Sequence, residues 1–123
     1  MNRLILNMPP SVNHMYVNAY TKRKTMRVLS TIAKDWKIEC VERTGVWMQN
    51  NAWETATGKV ILNLYYYFPD QRKRDTHNTL KLMLDGLEDA GLYENDYYAL
   101  PRVINFWIDK KNPRVEIEVL QMH

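Results

Sequence analysis

The stretch KVILNLYYYF, residues 59 to 68, limits what this chain can fold into more than any other part of it. It is a nearly unbroken run of β-branched, aliphatic and aromatic residues, the composition of a strand inside a sheet. With so little polar alternation it reads as a central strand buried on both faces. Such a strand needs neighbours, and the sequence offers three. RLIL, 3 to 6, stops at Asn7 and the Pro9-Pro10 pair, because proline cannot donate to a sheet ladder. RVINFWID, 102 to 109, and RVEIEVLQ, 114 to 121, flank the turn-like DKKNP and read as a hairpin; in the second, Val115, Ile117 and Val119 alternate with Glu116 and Glu118.

Two segments carry the helical period. After a possible cap at Ser30, Ile32, Ala33, Trp36, Cys40 and Trp47 fall within about one third of the helical circumference, a core-facing stripe. The polar NNAWETATG, 50 to 58, ends that helix. THNTLKLMLDGLEDAGL, 76 to 92, puts Leu80, Met83, Leu84, Leu87 and Gly91 on one face, and Gly91 also suits a helix end. YEND, 93 to 96, is turn-like. Residues 11 to 29 are polar, aromatic and basic without sustained periodicity, so a long surface excursion is expected there. The element order is β-α-β-α-β-β. The predicted fold is mixed α/β (α+β), one mixed sheet with two main helices, forming a single domain over 1–123, since 123 residues are too few for two ordinary cores.

Composition excludes several classes. No apolar run approaches the roughly 18 to 20 residues that span a bilayer, and a 46% hydrophobic, 25% charged chain is neither membrane-embedded nor disordered. MNRLILNMPPSVNH has no signal-peptide core, and Cys40 is the one cysteine, so no intrachain disulfide or cysteine-based zinc cluster is available. A cytoplasmic location is expected. The net charge of +3 favours a polyanionic partner only weakly, but its distribution says more. Cations gather at Lys22, Arg23, Lys24 and Arg27, at Arg72, Lys73 and Arg74, and at Lys110, Lys111 and Arg114. Each cluster alone is compatible with a solvated loop; three together make phosphate contact credible.

An acidic set interrupts this basic chain. On the second helix Asn78, Lys81 and Asp85 project within about 60° of one another, opposite the leucine face, with Asp75 and His77 at the helix entrance. Helix capping by Asp75 or Thr76 and a solvated polar face would account for part of this. It leaves open why Asp75, Asp85 and Asp96 would converge if YEND folds back beside the helix. Carboxylates repel phosphates, and in a nucleic-acid protein they make sense chiefly as ligands of a hard divalent cation. His14 and His123, in a loop and at the terminus, carry no such pattern. Trp36, Trp47, Trp53, Trp107 and Tyr65 to Tyr67 could stack on bases but are assigned to packing.

RKRDTHNTLKLMLD, with ND at 95 and 96, resembles the RusA family of Holliday junction resolvases, whose motif has Asp-x-Asp-Asn, then a lysine and an aspartate on one helix, then an Asp-Asp pair in the next turn. PPSVNHMY near the start and the order of elements resemble that family too. Asp75 matches the first aspartate, Asn78 the asparagine, Lys81 the lysine, Asp85 the next aspartate and Asp96 the last acid. Two positions depart: His77 stands where an aspartate is expected, and Asn95 replaces the first acid of the pair. A neutral imidazole still binds divalent metals, with a preference for softer ones.

The resemblance implies a metal-dependent endodeoxyribonuclease that resolves four-way junctions in recombination and repair, leaving 5′-phosphates. It implies catalytic Asp75, His77, Lys81 and Asp96. The same residues apart from Lys81, joined by Asp85, would hold Mg²⁺ or Mn²⁺, and the imidazole at 77 favours Mn²⁺. Lys22, Arg23, Lys24, Arg27, Arg72, Lys73, Arg74 and Asn78 would contact DNA. A symmetric homodimer is implied, because a junction presents two equivalent strands to nick. Two rivals remain open at this point: a junction-binding architectural protein disabled by the changes at 77 and 95, and a metal-independent protein-interaction domain whose polar helix face is only solvated.

Overall fold

The computed structural model describes residues 1–10, 16–20, 25–73 and 76–122, with backbone alone for 16–20 and 25–29. Among these residues the elements are β1 (Leu4–Asn7), β2 (Tyr16–Tyr20), β3 (Thr25–Leu29), α1 (Thr31–Asn50), β4 (Val60–Phe68), α2 (Leu80–Asp89), β5 (Ala99–Ile108) and β6 (Arg114–Gln121). Short 3-10 turns lie at Thr76–Thr79 and Asp96–Tyr98. β1, β6, β4 and β5 form one mixed sheet in that order, and β2 pairs with β3 separately. The fold is the α+β arrangement that the sequence predicts, with the run at 59 to 68 inside the sheet.

Three details differ from the sequence reading. β5 and β6 are not a hairpin, because β4 lies between them. β5 runs parallel to β4 from Val60↔Ala99 to Phe68↔Ile108, and β6 runs antiparallel to it from Val60↔Gln121 to Tyr67↔Arg114. Residues 109–113 strap over the end of β4, where the Asp109 amide donates to the Phe68 carbonyl at 2.8 Å. Two strand spacings are only about 9.5 Å, within easy reach of such a link, so a short turn does not dictate pairing. Residues 11 to 29 hold more than a surface excursion: β2 and β3 pair antiparallel from Tyr16↔Leu29 to Tyr20↔Thr25.

The third correction concerns β4, which is fully covered on one face only. Val60, Leu62, Leu64, Tyr66 and Phe68 are buried in the core with Ala33, Trp36, Leu82, Met83 and Leu87 of the helices. On the opposite face Ile61, Tyr65 and Tyr67 are half-buried. Neighbouring side chains shelter the two tyrosines: the Arg3 guanidinium lies 3.8 Å over the Tyr65 ring, Arg114 lies 3.9 Å over Tyr67, and Trp107 stacks on both.

The helices follow their periods with adjustments. Ser30 caps α1, accepting from the Ala33 amide at 3.2 Å. Ala33, Trp36, Cys40, Thr44 and Trp47 are buried, whereas Ile32, at the margin of the predicted stripe, is 66% exposed. The indole N–H groups of Trp36, Trp47 and Trp53 donate to the carbonyls of Asn7, Asn2 and Leu92, consistent with their packing role. In α2 the buried residues are Leu82, Met83, Gly86 and Leu87, so the helix is rolled relative to the predicted face and Leu80 and Leu84 sit at its margin. Gly86 explains the roll. A Cβ there would come within 2.9 Å of Cys40 Sγ, so the glycine lets α2 press against α1. Gly91, at φ +84°, ends the segment, with its amide on the Glu88 carbonyl and the Leu92 amide on Leu87, a Schellman motif. No helix among the described residues is long and apolar enough to cross a membrane.

Candidate acidic site on the crossover helix

Parallel strands need a crossover, and the segment joining β4 to β5 is the one that carries the polar motif. Its first part is tied to the sheet. The Tyr66 hydroxyl lies 2.8 Å from Thr79 Oγ1, which itself donates to the Thr76 carbonyl at 2.9 Å. This relay fastens the turn bearing His77 and Asn78 to the central strand, and burial pushes the Tyr66 hydroxyl up to about 12. α2 begins with Thr79 at the cap position and no side-chain cap bond, so Thr76 is not its cap. His77 and Lys81 are exposed, and Asn78 and Asp85 are half-buried.

The far end of the crossover decides whether Asp96 joins them. The Schellman turn reverses the chain, and three contacts then hold 93–96 in place, two of them on α2. The buried Tyr93 hydroxyl donates to the Leu84 carbonyl at 2.7 Å. The Glu94 amide donates to the Ala56 carbonyl at 2.9 Å. The Asp96 amide donates to Glu88 Oε1 at 2.7 Å. YEND therefore folds back beside the helix, the condition that the sequence left open.

The charge consequences appear at Asp85. Burial raises its carboxyl above the usual range, Lys37 and Lys81 pull it down, and Asp96 and Glu88 push it further up. Asp85, Lys81, Glu88 and Asp96 thus share one electrostatic neighbourhood. Lys37 of α1 backs it, bridged to Asp89 at 2.8 Å. Neither Glu88 nor Lys37 stood out in the sequence: Glu88 lies one turn beyond Asp85 on the helix, which was a usable signal, while Lys37 reaches the site only through helix packing.

Other predicted residues are placed less fully. Asp75, Arg74, Lys22, Arg23, Lys24, His14 and His123 lie outside the described residues, and of Arg27 only the backbone in β3 is described. Arg72 and Lys73 are exposed, with Arg72 bonded to Asp70 through its amide and side chain. Among the described residues no three of His, Cys, Asp and Glu form a group able to hold a metal ion, so His77, Asp85 and Asp96 do not make one by themselves. Asn95 caps the second 3-10 turn, its side chain accepting from the Tyr97 amide at 2.8 Å, a task asparagine and aspartate perform alike. Cys40 is buried, and burial raises its thiol to about 11, so it is a packing residue and not a reactive thiolate.

The model of the family described as endodeoxyribonuclease RusA matches residues 7–120. The chain belongs to the RusA family. The match runs from the last residue of β1 into β6 and takes in both halves of the acidic site. Membership makes the chain an endodeoxyribonuclease of the Holliday-junction-resolving kind. The reading as a protein-interaction domain gives way on this finding. No curated protein matches the chain.

Proposed function

We propose that this chain is a divalent-metal-dependent endonuclease that cuts four-way DNA junctions by paired nicks, in recombination and repair, leaving 5′-phosphates. The observation that carries the reading is the return of Asp96 to the polar face of α2, beside Asp85 and Lys81. The donors are chemically suited to a hard cation: Asp85 is a carboxylate held in partial burial against like-charged neighbours, a cost that a divalent ion relieves. Asp75, Asp96 and His77, with Asp85, would hold Mg²⁺ or Mn²⁺, which when bound supplies a water of lowered pKa and stabilises phosphate charge.

The chain's own residues do the remainder. Lys81, exposed on the same helix face, neutralises charge that develops on the phosphodiester. Asn78, fixed by the Tyr66–Thr79 relay one residue away, positions the DNA backbone. Attack at phosphorus with departure of the 3′ oxygen leaves the phosphate on the 5′ side. Lys22, Arg23, Lys24, Arg27, Arg72, Lys73 and Arg74 contact phosphates and set affinity without reading bases. Two copies in a symmetric homodimer would place one site on each of the equivalent strands, and a cytoplasmic location suits this substrate.

The test is a labelled synthetic four-way junction incubated with the protein, with and without Mg²⁺ or Mn²⁺. Metal-dependent, symmetric nicks with 5′-phosphate ends are expected. Junction binding without cleavage under either ion would favour the architectural reading, which the histidine at 77 motivates. Binding to neither junction nor duplex at low salt would overturn both.

A further inference from the structure

Asp96 and Asp85 belong to different segments, and nothing in their own side chains obliges them to stay together. Two like charges in one neighbourhood repel, so some other group must hold the 93–96 turn down. The Tyr93 anchor lies three residues upstream of Asp96, and the Glu94–Ala56 bond two residues upstream. The contact at Asp96 itself is the 2.7 Å bond from its amide to Glu88 Oε1, a part-buried bond with an ionised acceptor. Glu88 projects from α2 three residues after Asp85, so the side chain that grips Asp96 stands on the same helix face as the acid that Asp96 must meet.

We propose that Glu88 is a positioning residue: its carboxylate fixes the Asp96 backbone and thereby sets the separation of the Asp85 and Asp96 carboxylates. The proposal rests on the reading of those two acids as partners in one site. It assigns Glu88 a hydrogen-bonding role rather than one as a ligand, which separates the effects of its acceptor oxygen and of its charge. Glutamine keeps the acceptor; alanine removes it.

The first measurement is amide hydrogen exchange at Asp96 in the metal-free protein. Wild type and Glu88→Gln are expected to protect this amide, and Glu88→Ala to exchange it on the order of tenfold faster or more, the effect of losing a charge-assisted bond. The Leu92 amide, held by the helix-end motif, should keep its protection in all three and reports that the helix is intact. The second measurement is junction cleavage against Mn²⁺ concentration. Glu88→Ala should need roughly tenfold more metal for half-maximal rate, with a smaller change in the rate at saturation, and Glu88→Gln should restore most of the loss. An Asp96 amide equally protected in Glu88→Ala overturns the proposal, and so does a Glu88→Gln protein as defective as Glu88→Ala. If wild type cuts no junction, the proposed function fails while the exchange measurement still decides whether Glu88 holds Asp96.

Discussion

Two polar regions on opposite sides of the sheet use the same residue types to different ends. On the open face Arg114 bonds Asp109 at 2.8 Å and Glu116 at 2.7 Å, Arg3 reaches Glu116 at 3.3 Å, and Asn63 links Glu118 to Arg102. Each acid there is matched by a nearby donor, and Asp109 titrates below its ordinary value because Arg114 bonds it. On the crossover helix the balance reverses. Asp85 titrates above its ordinary value because it is partly buried, with Asp96 and Glu88 adding to the rise and offsetting part of the pull of Lys37 and Lys81. An acid already satisfied by its own protein has little to offer a ligand. One held at a cost is poised for a cation, which is why strained electrostatics mark functional sites more often than neat networks do.

The largest effect should come from the crossover helix. Asp96→Asn, or Asp75→Asn, is expected to lower junction cleavage by at least about a hundredfold, more than the loss of an outer-shell partner costs, while junction binding persists. Glu116→Gln, on the open face, should leave the cleavage rate within about twofold of wild type. Equal losses from both faces, measured with the same labelled junction, would break the comparison.

Next in size is DNA affinity. Neutralising Lys22, Arg23 and Lys24 together should weaken junction and duplex binding alike, on the order of tenfold or more, and flatten the slope of log affinity against log salt by up to about 2.7. An unchanged slope would return this segment to plain solvation.

Smaller still is the effect of His77→Asp. A histidine ligand binds only when neutral and replaces a hard oxygen with nitrogen, so wild type should work at lower Mn²⁺ than Mg²⁺ and lose metal affinity as the pH falls. The substitution should narrow the gap between the two ions several-fold and extend activity to lower pH. Identical metal titrations at pH 6 and pH 8 in both proteins would place His77 outside the coordination shell.

The smallest effect is on stability, and its sign sharpens the contrast. Asp85 has a raised carboxyl in the folded state, so ionising it costs folding free energy, and that cost is present above the raised value and absent below the unfolded one. Asp85→Asn should therefore stabilise the fold at pH 7 and raise the thermal midpoint, the gain being at most about 1 kcal/mol because water screens a half-buried carboxylate. Asp109 has a lowered carboxyl and contributes stability above the unfolded value that is lost as pH falls through the folded one. Asp109→Asn should lower the midpoint at pH 7. Thermal melts of the two variants that move in the same direction would remove the distinction drawn between the faces.

The sequence by itself determined the strands and helices that have a strong local signal. The apolar run at 59 to 68, the alternation at 114 to 121, the Ser30 cap and the Gly91 stop depend on a residue and its near neighbours, so they are legible without the fold. The same holds for the family, since Asp75, Asn78, Lys81 and Asp85 fall within eleven consecutive residues and Asp96 follows at a fixed distance in the chain. Only the tertiary structure decided which elements meet. It inserted β4 between β5 and β6, rolled α2 onto Gly86 so that Leu82 and not Leu80 is buried, and paired β2 with β3. It also brought Asp96 onto Glu88 and set Lys37 of α1 behind the acids. These are contacts between segments distant in the chain or reversed by a turn, chosen by how the whole core packs, and no window of the sequence contains the energies that choose them.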